Sequence, residues 1–206
     1  MDDTNLWLAM KNGDQSALET IYRKHVKILY SYGMHFSPDN QLVEDSIQDL
    51  FIELWNHRQS IGNTDSIVRY LMTALRRKII RKGQQLSKHL TGLDDSAPIF
   101  GTEISIDEKW ISGEESEAVA QKLQDAIKGL STRQQEAIYL KYKEGLDYDD
   151  ICKIMDLQYQ SARNLIAGAI QKLRQSFDGM PTIVLLLYVF LWLNSVQAAN
   201  LLLWYI

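Results

Sequence analysis

The chain has 206 residues, of which 46% are hydrophobic and 23% are charged, and this is the composition of an ordinary globular protein. Its 3 Pro and 11 Gly exclude a collagen-like or low-complexity chain, and the single cysteine, Cys152, excludes an internal disulfide framework and a cysteine-based zinc site. The net charge of −4 says little, because the charges are segregated along the chain. The N-terminus lacks the basic and apolar parts of a signal peptide, so we expect a cytoplasmic protein.

Apolar residues recur at helical spacing through the first part of the chain, and no stretch alternates with period two for long enough to predict a sheet. Asp14 is the predicted N-cap of the first helix. A second helix carries an apolar face opposite an acidic face, and a third, capped by the sequence at 63–66, interleaves apolar residues with Lys and Arg. The apolar face of the second helix consists of Val43, Ile47, Leu50, Phe51 and Leu54.

The charge of the chain changes sign in its middle part. Residues 69–89 contain seven Lys or Arg and no acid, whereas residues 94–117 contain eight acids and one Lys. The basic block predicts a surface for a polyanion. The acidic stretch contains Gly and Pro and has no helical period, so we predict a linker at 84–116 between a domain at 5–83 and a domain at 117–178.

The second domain is also predicted to be helical. The capping-box sequence at Ser131 predicts the start of one helix, which ends at Gly145. Asp147 predicts the start of a short helix that ends at Met155. A turn of about four residues and an amphipathic helix follow, which is typical of a helix-turn-helix, although a plain helical hairpin is the alternative. The residues predicted to reach base edges or phosphates are Gln158, Tyr159, Gln160, Ser161, Arg163, Asn164 and Lys172.

Three stretches resemble the sigma-70 family of RNA polymerase sigma factors, in particular its extracytoplasmic-function (ECF) group. LVEDSIQDLFIELWNHR (Leu42–Arg58) resembles region 2.2, and SIVRYLMTALRRKIIRK (Ser66–Lys82) resembles the region 2.3–2.4 helix. LSTRQQEAIYLKYKEGLDYDDICKIMDLQYQSARNLIAGAIQKLRQ (Leu130–Gln175) is similar to region 4. The resemblance covers residues 5–178 and implies an all-α fold of two helical domains.

The resemblance implies that core RNA polymerase is a partner, through the coiled coil of its β′ subunit and through its β flap. A carboxylate face beside large apolar anchors also suits a basic helical partner. The alternative is a solvated acidic face, with Phe51 and Trp55 in the core. The residues that match the docking helix are Asp45, Gln48, Asp49, Phe51 and Trp55.

The resemblance also implies that the basic helix and the loop before it, His57 to Ser66, capture and melt the minus-ten promoter element. Single-stranded DNA requires a basic track for its phosphates and surfaces for its bases. Tyr70 matches a family aromatic, although its periodicity makes packing an equal expectation. The predicted residues are Asn63, Tyr70, Arg76, Arg77, Lys78, Arg81 and Lys82, and the loop residues Ser60, Ile61 and Gly62 are weaker candidates.

The chain departs from the family pattern at several of these positions. Arg77 and Arg81 stand where the family often has Asn and Asp, and Gly168 replaces a usual Arg of the recognition helix. The promoter sequence therefore cannot be transferred from relatives.

No catalytic site is predicted. The four histidines lie on different elements, and the chain contains no HExxH, GxGxxG or GxxxxGK[ST] motif. Cys152 stands where a helix-turn-helix needs a small apolar residue. We therefore expect no enzymatic activity, no metal and no cofactor.

The C-terminal segment 181–206 has no charged residue and is mostly apolar. As a helix it would be about 39 Å long, more than the roughly 30 Å of a hydrocarbon core. One interpretation is a hydrophobic helix that tethers the protein to the inner membrane, with Lys172 and Arg174 on the cytoplasmic side. The equal alternative is a helix that covers an apolar groove or pairs with another protein.

Together these patterns predict an initiation factor that binds core RNA polymerase, lends it promoter specificity and helps to open promoter DNA. The alternative function is a stand-alone helix-turn-helix regulator, anchored to a membrane or not, which would leave the acidic and basic helices of the first domain unexplained. The sequence leaves open whether an anti-sigma factor is a further partner.

Overall fold

The computed structural model describes residues 2–91 and 114–177 together with Val189. These residues form helices and turns with no strand among them, which confirms the all-α prediction. The chain divides into two compact units, Met1–Ile99 and Phe100–Ile206. Apart from Val189, which is helical and buried, the C-terminal segment 181–206 lies outside the described residues.

The described part of the first unit consists of α1 (Asp3–Lys11), α2 (Gln15–Met34), α3 (Asn40–Asn56) and α4 (Ile67–Thr91). The first three begin behind an aspartate whose carboxylate accepts hydrogen bonds from backbone N–H groups of the first turn, and this cap satisfies donors that the helix leaves free. The three capping residues are Asp2, Asp14 and Asp39. The N-cap predicted at Asp14 is confirmed, but the helix that it begins is α2, because α1, which the sequence did not predict, precedes it.

The start of α4 is capped from another helix. Asp3 of α1 accepts from the backbone N–H of Ile67 at 3.2 Å and from the Lys24 ammonium of α2 at 2.8 Å. A single carboxylate therefore joins the beginnings of α1 and α4 to the middle of α2. The cap predicted from the 63–66 sequence is partly present, since the Ser66 hydroxyl accepts from the backbone of Arg69.

Helices α2, α3 and α4 pack against one another around one core. The apolar face predicted for α3 is buried throughout. The closest approach is at Gly33 of α2, where an added Cβ would lie 2.6 Å from Val43 Cγ1 of α3 and 3.2 Å from Ile79 Cδ1 of α4. A side chain at this position would therefore push the three helices apart.

Helix α4 continues to Thr91, into the segment 84–116 that the sequence predicted as a linker, and the next described helix starts at Glu114. The helix passes through Gly83, because one glycine costs a helix only about 1 kcal/mol and no proline follows until Pro98.

The described part of the second unit consists of α5 (Glu114–Lys128), α6 (Thr132–Ile138), a π-helical turn (Tyr139–Lys143), α7 (Tyr148–Met155) and α8 (Tyr159–Ser176). Helices α5, α6 and α7 all pack on α8. The face of α8 that they cover is buried and includes two small residues, which let the helices approach closely. These buried residues are Ala162, Ile166, Ala169 and Leu173.

The predicted capping box is present at the start of α6. The Ser131 hydroxyl accepts from the Gln134 backbone N–H at 3.3 Å, and the Gln134 side chain accepts from the Ser131 N–H at 3.1 Å. The helix predicted to run to Gly145 is regular only to Ile138, and the π-helical turn follows. Gly145 then reverses the chain at φ +67°, a region that glycine enters at little cost.

The turn between α7 and α8 is tight. Asp156 adopts a left-handed conformation with φ 54°, and its N–H donates to the Cys152 carbonyl. Ile151 and Ile154 on α7 and Ala162 on α8 are all buried. The short first helix, the turn and the longer second helix form the helix-turn-helix predicted from the sequence.

Candidate polymerase and nucleic-acid interfaces

The outer face of α3 carries a polar stripe at helical spacing. Asp45 and Gln48 are exposed, and the Gln41 side chain donates to the Asp45 carboxylate at 3.1 Å within the same helix. Asp49 turns towards α4 instead, where it accepts from Lys82 at 2.8 Å. This hydrogen bond is the main cause of the lowered pKa of Asp49. Of the predicted carboxylates, Asp45 is therefore the one directed to solvent.

The two aromatic residues predicted on α3 differ in their surroundings. Phe51 is buried and meets the Tyr22 ring edge-on, with ring centroids 5.0 Å apart. Trp55 is half-buried, and the Arg58 guanidinium lies 4.2 Å from the centre of its ring. Both rings line a shallow open groove of about 380 Å³ together with Leu18 of α2. Phe51 thus belongs to the core and also forms the floor of this groove.

The sequence-based prediction for α3 missed Ile52, whose side chain is 58% exposed. It follows Gln48 by four residues and Asp45 by seven, so it extends the same outer stripe, and it lines a second, smaller groove of about 270 Å³ beside Trp55. The sequence contained the signal, because Ile52 is a large apolar residue outside the apolar face of an amphipathic helix. Isolated exposed apolar residues are common, and only the groove beside it makes this one a candidate contact.

The basic residues of α4 fall into two groups. Lys78 donates to Glu53 at 2.7 Å and Lys82 donates to Asp49 at 2.8 Å, so two of the predicted DNA-binding cations pair with the acidic face of α3. Arg77 and Arg81, one helical turn apart, are exposed, and no carboxylate among residues 2–85 pairs with either of them. Arg76 is partly buried. Arg77 and Arg81 therefore present two uncompensated positive charges on the part of α4 whose side chains are described.

The Tyr70 ring packs against α1 and does not stand free at the surface. Its ring meets Trp7 of α1 edge-on, with ring centroids 4.8 Å apart, and burial is the main cause of its raised pKa. Trp7 itself is fully buried. Of the two alternatives that the sequence left for Tyr70, these contacts favour a structural role over base stacking.

The loop between α3 and α4 is tied to α1, an element that the sequence analysis did not single out. The Trp7 indole N–H donates to the Gly62 carbonyl at 3.0 Å. The Lys11 ammonium donates to the Ile61 carbonyl at 2.7 Å and to the Asn63 amide oxygen at 2.8 Å. Contacts between residues fifty or more positions apart leave no periodic pattern, so this tether could not be found from the sequence.

The first two turns of α8 form an exposed polar surface. Gln158 is the N-cap residue and makes no side-chain capping bond. The Gln160 amide donates to the Asn164 amide oxygen at 2.9 Å, which links the two exposed side chains and leaves the Gln160 oxygen and the Asn164 N–H groups available to a partner. Ser161 and Arg163 are exposed beside them. These groups are the donors and acceptors that major-groove base edges match.

The two other residues predicted on α8 have partners within the second unit. Tyr159 is 50% exposed and its ring lies 5.7 Å from that of Tyr148 of α7. Lys172 donates to the neutral Gln134 amide at 3.2 Å, so its charge is held in place without being neutralised. Lys172 therefore remains able to pair with a phosphate.

No cluster of His, Cys, Asp or Glu that could hold a metal ion occurs among residues 2–85 and 121–177, whose side chains the structure describes. Burial raises the pKa of the Cys152 thiol, which opposes formation of the nucleophilic thiolate. Within the same residues, no helix combines the length and the apolar character that crossing a membrane requires.

Both units match known protein families. Residues 21–88 match sigma-70 region 2, and residues 120–173 match sigma-70 region 4. Together the two matches cover more than half of the chain. A stand-alone regulator would need only the second, so that alternative is not favoured.

Individual relatives agree with the family matches. The ECF RNA polymerase sigma factor SigL of Mycobacterium tuberculosis is 23% identical over 163 residues, which are 78% of this chain and 89% of SigL. The sigma factor RpoE of Bartonella quintana, solved in complex with the anti-sigma factor NepR, has a TM-score of 0.58 at 19% identity over 79% of this chain and 98% of that chain. CnrH in complex with the cytosolic domain of CnrY has a TM-score of 0.56 at 16% identity over 87% and 99%.

Sigma factors are not enzymes, and they work with RNA polymerase and promoter DNA in the cytoplasm. The two matched regions, in this order and on this all-α fold, show that the chain belongs to the ECF group of the sigma-70 family and is a promoter-specific transcription initiation factor.

Proposed function

We propose that the outer stripe of α3 is the surface that binds core RNA polymerase. The supporting observation is that Asp45 and Gln48 are exposed next to Ile52, at the edge of an apolar groove. A carboxylate that is not paired across the unit is available to a basic helix, and an exposed apolar side chain gains free energy when a partner covers it. Asp49 supports this surface indirectly, because it holds Lys82 on α4.

A matched pair of substitutions tests this surface. Ile52→Glu places a charge in the proposed contact, whereas Leu8→Glu introduces the same charge at another exposed apolar residue of the first unit, 39% exposed on α1. We expect Ile52→Glu to weaken binding to core polymerase by about tenfold or more, the size typical of a buried apolar contact residue, and Leu8→Glu to bind as the unchanged protein does. Equal affinities for the two variants would remove α3 as the docking surface.

We further propose that the first unit captures the minus-ten element with the 57–66 loop and the outer face of α4. Arg77 and Arg81 supply phosphate contacts, because they lack a carboxylate partner among the described residues. Lys78 and Lys82 contribute less to DNA binding in this proposal, since each would first have to leave Glu53 or Asp49. Tyr70 acts through packing under the loop.

The proposed phosphate contacts of α4 predict how the affinity for promoter DNA depends on salt. Arg77→Gln should lower affinity for promoter DNA in the polymerase complex and reduce the slope of log affinity against log salt by about one. Arg23→Gln removes the same charge from an exposed position on α2 and is the control. A slope that does not change in Arg77→Gln, or that falls equally in the control, would contradict the proposal.

The second unit reads the minus-35 element with the N-terminal half of α8 in this proposal. The ordered Gln160–Asn164 pair supports it, because two fixed amides at the start of a recognition helix offer a defined pattern to base edges. Asn164→Ala should relax base preference at one or two minus-35 positions by roughly 5- to 100-fold, whereas Lys172→Met should weaken all sequences alike. Uniform weakening by Asn164→Ala would contradict direct base reading.

Two further partners are proposed, an inhibitory anti-sigma factor and a membrane. RpoE and CnrH were solved with the anti-sigma factor NepR and with the cytosolic domain of CnrY, and we infer that an inhibitory partner also controls this chain. On sequence alone, the uncharged segment 181–206 supports a membrane contact. The test is fractionation of cell lysate: the full chain should pellet with membranes, and a chain ending at Asp178 should not. A full chain that stays in the supernatant would refute the contact.

A further inference from the structure

Three consecutive residues of the 57–66 loop are held from α1. Ile61, Gly62 and Asn63 each accept a hydrogen bond, and the donors are only two side chains, Trp7 and Lys11. Trp7 is fully buried and Lys11 is partly buried, so both donors are fixed by packing. Gly62 and Asn63 are nevertheless exposed at the surface. The loop is thus presented to solvent and anchored from behind.

The tether also determines which groups face outward. An ammonium group has three donors and no acceptor, so the Asn63 oxygen is the atom that faces Lys11 and the Asn63 NH₂ group points away. Among the described residues, no acceptor pairs with the backbone N–H of Gly62 or Asn63. The Ile61 and Gly62 carbonyls and the Asn63 amide oxygen are occupied, whereas these donors are free. These two exposed residues therefore carry a row of unpaired hydrogen-bond donors, which are their backbone N–H groups and the Asn63 NH₂ group.

Both ends of the loop are closed by local bonds that do not involve α1. The backbone N–H groups of Ser60 and Ile61 donate to the His57 carbonyl, and the Thr64 hydroxyl donates to the Ser66 carbonyl. The loop would therefore keep its turns if the tether were removed. What the tether adds is a fixed position and orientation for Ile61 to Asn63.

We propose that Trp7 and Lys11 are positioning residues for minus-ten recognition, which hold the loop so that Asn63 and the adjacent N–H groups donate to acceptors on one unstacked base. The inference rests on the proposed role of the loop and goes beyond it, because it assigns base discrimination to two residues of α1 that do not touch DNA. A row of donors held in one orientation selects a base edge whose acceptors lie in matching places. The side-chain amide of an untethered Asn63 could instead rotate, so that its oxygen and nitrogen change places and it pairs with several bases.

The experiment uses the full chain with core polymerase and a pool of duplex templates. The pool takes one promoter mapped on genomic DNA and randomises the minus-ten region, and sequencing the transcribed templates gives the base preference at every position. The unchanged protein should show a sharp preference at one position that is reduced about tenfold in Asn63→Ala, the size expected for one well-placed base contact.

Variants of the tether then separate positioning from folding. Lys11→Met should flatten the preference at that same position by a similar factor, and Trp7→Phe, which keeps the ring and loses the N–H, should flatten it in part. Lys11→Arg retains donors and should restore the preference. Lys27→Met, which removes the charge of an exposed lysine on α2, is the control and should leave the profile unchanged.

The double variant Lys11→Met with Asn63→Ala distinguishes a shared role from two separate ones. We expect no further flattening beyond Asn63→Ala alone, because the two residues act through one contact. The inference is overturned if Lys11→Met keeps the sharp preference, or if it lowers transcription equally at all positions. If the unchanged protein itself shows no minus-ten preference, the proposed role of the loop in minus-ten recognition is wrong, and this outcome is distinct from a failure of the tether.

Discussion

The contact of Gly33 with α3 and α4 predicts an unusual outcome for a Gly→Ala change within a helix. Alanine normally stabilises a helix relative to glycine by about 0.5 to 1 kcal/mol. At Gly33 the new Cβ would lie 2.6 Å from Val43 Cγ1 and 3.2 Å from Ile79 Cδ1, whereas carbon atoms in contact prefer about 3.5 to 4 Å. Relieving both overlaps needs a shift of about 1 Å in the packing of three helices.

The size of the effect follows from the partner side chain. Val43 is β-branched and stiff in a helix, so it cannot turn away as a long side chain would. Overpacking of this kind costs about 1 to 3 kcal/mol, which exceeds the gain in helix propensity. Gly33→Ala should therefore lower the free energy of unfolding of the first unit by about 1 to 2 kcal/mol.

Gly83 provides the matched control on α4. A Cβ added there would meet nothing within 4 Å, so Gly83→Ala should raise stability by the full propensity gain of about 0.5 to 1 kcal/mol. Pulsed hydrogen exchange along a urea titration, read by mass spectrometry on peptides from residues 2–91, gives the midpoint of the first unit separately from that of the second. If Gly33→Ala raises the midpoint as Gly83→Ala does, the close packing of α2 on α3 is not as described.

Three further predictions use the same assay on the two units. Asp156→Gly should stabilise the second unit by about 0.5 to 1 kcal/mol, because Asp156 has φ 54° and glycine enters this region without strain, and a lower midpoint would refute it. Ser131→Ala removes the capping box and should cost the same unit about 1 kcal/mol; no change would mean that the cap is not formed in solution. Burial is the main cause of the lowered pKa of His25 in the first unit, so the unfolded state takes up a proton first on acidification. Stability should therefore fall as pH drops below about 6.5, and His25→Leu should abolish this fall, whereas an unchanged pH dependence in the variant would assign it to other groups.

Local sequence patterns predicted much of this fold. The short helix from Tyr148 to Met155 has the predicted bounds, because an aspartate cap begins it and the chain reverses at Asp156. The capping box at Ser131 and the buried face of α3 were predicted for the same reason. Capping and amphipathic periodicity act over a few residues, so one sequence contains all the information that they require.

The features that position the candidate sites depend on contacts between distant residues. The pairing of Lys78 with Glu53 and of Lys82 with Asp49 follows from how α3 lies against α4, and neither the basic nor the acidic pattern reveals it. The tether from Lys11 to the loop joins residues about fifty positions apart. The sequence therefore identified which helices carry the charges, and the packing decides which of those charges are free.

The most direct test of the account is transcription by core RNA polymerase, from the bacterium that encodes this chain, with the full-length protein added or withheld. Genomic DNA is the template, and the 5′ ends of the transcripts are mapped by sequencing. We predict start sites that appear only when both components are present and that share two upstream elements, one for each unit. An absence of new start sites, with no binding of the protein to core polymerase, would contradict the assignment as an initiation factor.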